Sequence, residues 1–180
     1  MAGMKATPIS GIKSGSEIAY ALGDTSLGSV LIAHSANGVC AILLGDDRQR
    51  LIRDLHAHFA EAILRAGASG MGEAVAAAVE AVERPERPFD LPLDIGGTDF
   101  QKKVWQALRE IPPGTITSYS QVAQSIGAPK SLRAVAGACA ANVLAIAIPC
   151  HRVLRSNGAL SGYRWGMERK RILLEREKAI

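Results

Sequence analysis

YSQVAQSIGAPKSLRAVAGACAA, residues 119–141, is the stretch that decides how the second half of this chain folds. Tyr119 to Ile126 reads as one short helix, and Gly127 stops it because glycine accepts the left-handed conformation that ends helices. Pro129, suited to a first helical position, opens a second helix that runs to about Ala141. Two helices joined by a glycine-containing turn make a helix-turn-helix candidate. Helical hairpins are common, so the meaning lies in the composition of the second helix. Ala134, Gly137, Ala138 and Ala141 leave one of its sides nearly bare. A helix reading the DNA major groove would carry Asn, Gln or Arg there to reach base edges. A bare helix suits the minor groove better, which is only about 6 Å wide. Arg133 stands at the front of this helix.

Upstream, Thr98-Asp99-Phe100-Gln101 matches a capping box, in which Thr98 accepts from the third helical N–H and Gln101 reaches back. Phe100, Val104, Leu108 and Ile111 then mark one helical face, and Pro112-Pro113-Gly114 ends it. Before Gly96-Gly97 the pattern is different. Glu17 to Leu22, Gly28 to His34 and Val39 to Leu44 read as strands, and Asn37-Gly38 between the last two is a strong hairpin signal. An antiparallel meander is expected. Arg48 to Leu64 places Leu51, Leu55, Phe59 and Ile63 on one helical stripe, with His56 and His58 off it and expected at the surface. Met71 to Val82 reads as an alanine-rich helix, Arg84-Pro85-Glu86-Arg87-Pro88 breaks it, and Phe89 to Ile95 reads as a further strand. The expected class is α+β, divided into a tail of no assigned role (1–16), an α/β structural domain (17–96) and a helical domain (97–180).

Composition narrows the function classes. Hydrophobic residues make up 48% and charged residues 21%, which fits a soluble globular protein, and no apolar run approaches the roughly 20 residues that span a bilayer. A net charge of +4 favours an anionic partner weakly. Cys40, Cys139 and Cys150 cannot all pair with one another and no cleavable apolar leader precedes them, so a cytoplasmic location is expected. Three cysteines cannot form a four-cysteine zinc site, and no close Cys/His pairs suggest a mixed one; neither metal nor cofactor is expected.

The chemistry-bearing stretch is Ile148-Pro149-Cys150-His151-Arg152-Val153. A thiol with imidazole on the next residue, entered through a proline that restricts the backbone, suits a held nucleophile. The thiolate is the attacking species, and an ordinary cysteine has a pKa of about 8.5, so His151 and Arg152 are expected to lower it.

Pro149-Cys150-His151-Arg152-Val153, with Asn142 and Tyr119 before it and Ser161-Gly162-Tyr163 and Glu177 after it, resembles the active-site region of the O6-alkylguanine-DNA alkyltransferases. Further matching runs are Cys40 to Asp47, Leu91 to Ile95, Val104 to Arg109 and Leu160 to Gly166, so the likeness spans roughly residues 17–177. It is strongest to the carboxyl-terminal half of the bacterial adaptive-response members.

The resemblance implies a ribonuclease-H-like first domain and a winged-helix-like second one. It implies a monomer that binds double-stranded DNA containing O6-alkylguanine through the minor groove, extrudes the damaged base and takes the alkyl group irreversibly onto Cys150. An alkyl group on guanine O6 lies within the duplex, so a thiol reaches it only after base flipping. His151 would deprotonate Cys150 through a water, with Glu177, chosen over Glu175 by family spacing, orienting the imidazole. Tyr119 would donate to the guanine ring. Backbone groups of Cys150 and Val153 would face the guanine amine, Ser161, Tyr163 and Arg164 would belong to the loop covering the pocket, and arginine at 164, where other branches carry serine, would affect bulkier adducts. Arg133 would fill the place of the extruded base, beside Ser131, Ala134, Gly137 and Ala138 on the DNA face, and Asn142 would brace the turn without a chemical role. Three other readings stay open: a cysteine hydrolase, a damage sensor that does not react, and a sequence-specific repressor.

Overall fold

The computed structural model of the protein describes residues 8–67 and 69–180. The meander forms as the alternating apolar runs require. Strand β1 (Glu17–Thr25) pairs antiparallel with β2 (Gly28–Ser35), which pairs antiparallel with β3 (Gly38–Gly45). Gly38, at φ 146°, is required by contact as well as conformation, since a Cβ there would lie 2.6 Å from the Pro92 carbonyl oxygen.

Helix α1 spans Arg48–His58, capped by the Asp47 carboxylate on the amides of Gln49 and Arg50. It ends earlier than the four-residue spacing suggests. Leu51, Leu55 and Phe59 are buried, but the chain then turns, and Ile63 opens strand β4 (Ile63–Ala66) with 49% of its surface exposed. The amide of Ile63 bonds to Ser16, and β4 runs parallel to β1, giving a mixed sheet of order β3-β2-β1-β4 in place of the antiparallel one expected. Pairing with the free edge of β1 satisfies the backbone there and overrides the helical period. His58 is also a correction: it is 2% exposed, at the buried end of α1.

Helix α2 (Gly72–Glu83) packs on β1 and β2, and α1 packs on β2 and β3. The strand expected over Phe89–Ile95 does not form. Leu93 makes a single parallel bridge to Val39, with Val39 N–H donating to Pro92 and Asp94 N–H to Val39, each at 2.8 Å. Proline at 92 has no N–H with which to extend a ladder. Of the tail expected over 1–16, residues 1–7 lie outside the described residues; Ile9 donates to the His58 carbonyl, Ser10 accepts from Gly97, and Ile9 and Ile12 pack on the core.

Helix α3 (Asp99–Arg109) carries both bonds of the Thr98–Gln101 capping box and buries Val104, Trp105 and Leu108. A second capping box, Ser118 with Gln121, starts α4 (Tyr119–Ser125). Helix α5 spans Leu132–Ala141. Pro129 is not its first residue as expected: it sits in a turn closed by Ser131 N–H on Ala128, and the first α-helical bond runs from Val135 to Ser131. A 3₁₀ turn at Cys150–Arg152 leads into β6 (Val153–Leu154), which pairs parallel with β5 (Thr117–Ser118), and α6 (Met167–Arg176) closes the chain.

The two halves share backbone bonds and one core. Ile42 N–H donates to Val143 at 2.8 Å and its carbonyl accepts from Ala145 at 3.0 Å, so the segment leading to Cys150 lies along β3. Buried residues from Ile18 to Leu173 form a single cluster. Among the described residues no helix is long and apolar enough to cross a membrane.

The placement of Ile63 outside the helix gives a stability test. Leu55→Ala should cost about 2–5 kcal/mol, whereas Ile63→Ala on the exposed strand should stay within about 1 kcal/mol. Urea midpoints decide it, and equal losses at both positions would contradict the early end of α1.

Candidate active site

The site begins with Asn142, the residue that ends α5. Its side-chain amide donates to the Ile148 carbonyl at 2.9 Å and to the Cys150 sulfur at 3.2 Å, while its Oδ1 accepts from Leu144 N–H at 2.8 Å. These bonds fold residues 142–150 into a tight return, within which Ile146 takes φ 69°, an uncommon conformation for a β-branched residue. Asn142 therefore touches the sulfur itself, more than the bracing role expected.

Cys150 is 4% exposed and lines a cavity of about 690 Å³ whose wall includes Tyr119, Arg133, Ser161, Tyr163 and Arg164. Burial pushes its thiol above the ordinary value, opposed by the Asn142 hydrogen bond and by the positive charges of Lys170 and Arg164. This corrects the expected source of activation. Arg152 and the Nε2 of His151 are both committed to Glu177, and the cations that favour the thiolate come from elsewhere. Cys40, with its sulfur near the Ala33 carbonyl, is pushed by burial to about 12, and Cys139 is raised by burial as well. Cys139 nevertheless belongs to the cavity wall.

Glu177 lies at the C-terminal end of α6 and is 5% exposed. Its Oε1 accepts from His151 Nε2 at 2.8 Å, and Arg152 forks onto both oxygens, Nε to Oε2 at 3.0 Å and Nη2 to Oε1 at 2.8 Å. Glu175 instead pairs with Arg171 at the surface. Burial alone would raise the Glu177 carboxyl, but the bonds from His151 and Arg152, with their charges, hold it below its ordinary value. Burial lowers His151, against the pull of Glu177. A neutral imidazole donating through Nε2 carries its lone pair on Nδ1, which is buried with no partner among the described residues, as is the Tyr163 hydroxyl. Tyr163 stands edge-on to Trp165, ring centres 5.2 Å apart, and to His151 at 6.5 Å.

Sequence reasoning missed Lys170 and gave Arg152 a different partner. Arg152 also donates to the carbonyls of Ile111 and Pro85, and Lys170, fully buried, donates to Val153 O at 2.6 Å and to the carbonyl and hydroxyl of Ser161. Arg152 stood in the quoted motif, yet only the fold shows its partners; Lys170 carries the period of a solvated helix. The Val153 carbonyl, expected to face a guanine amine, is taken by Lys170, and Val153 is fully buried outside the cavity wall. The Tyr119 hydroxyl bonds to Ser161 Oγ at 2.7 Å, and burial raises its pKa, keeping the proton on the oxygen. Arg164 donates to Ala140 O and contacts His58.

On α5, Arg133, Ala134 and Gly137 are exposed, and Ala141 and the preceding Ser131 are half-buried. Ala138 is a correction: it is 2% exposed and its carbonyl accepts from Trp105 Nε1 at 2.8 Å, because α3 packs on that side. Arg133 and the 48% exposed Leu132 stand together at the cavity mouth.

Residues 99–179 match the family described as 6-O-methylguanine DNA methyltransferase, DNA binding domain. The chain is 52% identical over 160 residues to the bifunctional transcriptional activator/DNA repair enzyme Ada of Escherichia coli K12, covering 89% of this chain and 45% of that one. It thus spans about half the length of the curated relatives it matches. Among solved structures, Mycobacterium tuberculosis OGT in complex with DNA superposes with a TM-score of 0.71 at 36% identity, covering 89% of this chain and 93% of that one. The O6-methylguanine-DNA methyltransferase of the hyperthermophilic archaeon Pyrococcus kodakaraensis KOD1 gives 0.67 at 27% identity, covering 89% and 98%.

Two stability outcomes follow from the buried carboxylate. Arg152→Ala should cost about 3–5 kcal/mol, because it strands Glu177 without its main counter-charge; Arg152→Lys should recover only part, lacking the fork. For pH, His151 folds with its pKa below 6.5 and Glu177 with its pKa below 4.5, so the unfolded chain binds more protons in both windows. Their contribution is complete above about pH 6.5 and is lost as pH falls, first through the His151 window and then below 4.5. Urea midpoints that stay flat from pH 7.5 down to about pH 4 would contradict these assignments.

Proposed function

The chain belongs to the 6-O-methylguanine DNA methyltransferase family, and from that premise we propose that it is a direct-reversal DNA repair protein that moves an alkyl group from guanine O6, and from O4-methylthymine, onto its own Cys150. The observation that carries this reading is the position of Cys150: a buried sulfur bonded by Asn142, at the wall of a cavity large enough for a base, with a buried His151–Glu177 pair on the adjoining residue. One relative is named as a DNA repair enzyme, and another was solved in complex with DNA.

The duplex lies against the exposed side of α5, with its minor groove over Ala134 and Gly137, beside Ser131. Arg133 takes the place of the extruded base, since a planar guanidinium stacks on bases while keeping its charge. The flipped base enters the cavity, Tyr119 turns its hydroxyl from Ser161 to the guanine ring, and Tyr163, Ser161 and Arg164 border it. The thiol proton passes through a water to His151 Nδ1, and Glu177 holds the imidazolium that forms. Sulfur then attacks the alkyl carbon in line, the S–C bond forming as the C–O6 bond breaks. The electron pair goes to guanine, which Tyr119 stabilises until it takes up a proton. The thioether has no route back to a thiol, so each molecule acts once.

In finer terms, the first half (17–96) is the ribonuclease-H-like frame and the second (97–180) the winged-helix-like half that binds and reacts, in a cytoplasmic monomer. The β5–β6 pair flanking the helix-turn-helix supports the winged-helix description.

Intact-mass measurement after incubation with methylated duplex tests the reading: one methyl per protein is expected, mapped to Cys150. Cys150→Ser should abolish transfer and keep DNA binding; methyl appearing on Cys40 or Cys139 in that variant would sink the assignment. Arg133→Ala should slow saturated single-turnover transfer from duplex by about tenfold or more, since unstacking costs a few kcal/mol. Transfer from the free base should change much less, and a saturated duplex rate equal to wild type would remove Arg133 from the role.

A further inference from the structure

A side chain from the first half of the chain touches a residue of the cavity wall. His58, the last residue of α1, places Nε2 2.7 Å from Nη2 of Arg164. A guanidinium only donates, so Nε2 is the acceptor and the ring proton sits on Nδ1. The other arm of Arg164, Nη1, donates at 3.1 Å to the carbonyl of Ala140, in the last turn of α5, where carbonyls lack helical partners and cations are favoured. Asp54, one turn before His58 on α1, adds an opposite charge. Two elements from different halves thus grip one guanidinium, and that guanidinium and Cys150 line the same cavity.

We propose that His58 is a positioning residue for the reacting thiol: by accepting from Arg164 it holds a positive charge in the wall of the cavity that Cys150 lines, and so favours the thiolate. The groups whose charge bears on Cys150 are few. Lys170 on α6 and Arg164 favour ionisation, and Cys139 on α5, Tyr119 on α4 and Tyr163 interact with the sulfur as anions only when themselves ionised, which burial opposes. Lys170 is locked by Val153 and Ser161. Arg164 is the cation whose place depends on a partner from the first half, and without that partner its second arm is free to move.

The inference rests on the reading of Cys150 as the nucleophile, but its test needs no DNA. The rate of Cys150 alkylation by iodoacetamide, located by peptide mass, is followed against pH for the wild type, His58→Leu, His58→Gln, Arg164→Met and the Leu/Met double variant. His58→Leu and Arg164→Met should each slow alkylation at pH 7 about threefold to tenfold and raise the midpoint by about half a unit to one unit. His58→Gln, whose amide oxygen accepts where Nε2 does, should stay close to wild type, and the double variant should equal either single one. An unmoved midpoint in Arg164→Met, a Gln variant no better than Leu, or additive losses in the double variant would each overturn the proposal. If the Leu variant fails to fold, the Gln and Met profiles still decide it. Loss of methyl transfer from DNA with these profiles intact would instead count against the repair reading.

Discussion

Glu177 is a carboxylate with almost no access to water, and the second half of the molecule is arranged so that it does not need any. His151 and Arg152 satisfy it from the 3₁₀ turn, while Arg152 also ties the Ile111 carbonyl after α3 and the Pro85 carbonyl after α2. Four segments distant in sequence therefore meet on the Arg152–Glu177 pair. A buried ion pair seldom adds net stability over apolar packing, yet removing one partner is severe, so the arrangement tolerates no partial version of itself. That all-or-none character fixes the orientation of the His151 imidazole.

The electrostatics of the sulfur are organised on the same plan. Burial alone makes a poor nucleophile, and the opposing influences are an amide from Asn142 and two cations, Lys170 and Arg164, fixed before any substrate arrives. Donors and charges already in place need not reorganise during reaction, which is where such sites gain most over water. The thiol can stay protonated at rest and still find its anion stabilised when the proton leaves.

What could be read from the sequence followed the range of the interactions involved. The meander, the Thr98 capping box and the helix-turn-helix rest on neighbours a few residues apart, and all three stand close to where they were expected. Ile63 continued the helical stripe of α1 in spacing, but the edge of β1 claimed its backbone, and sequence periodicity carries no information about that edge. Phe89 to Ile95 had strand composition without a partner for more than one bridge. In the site, the stretch around Cys150 stood out by its residue types, and the choice of Glu177 over Glu175 came through resemblance. The roles of Arg152, Lys170 and His58 depend on contacts across 25, 17 and 106 residues, which no local pattern encodes.

The bonds between Ile42 and residues 143–145 have a consequence for solubility. β3 is the outer strand of its sheet, and Val39 to Leu44 is an uncharged, proline-free apolar run, the composition that stacks readily with copies of itself. Two peptides guard this edge: residues 92–94 bond Val39, and residues 143–145, on the way from α5 to Cys150, bond Ile42. Whatever draws the second of these away also bares the strand around Ile42. A molecule opened there would offer copies of itself an unpaired apolar edge.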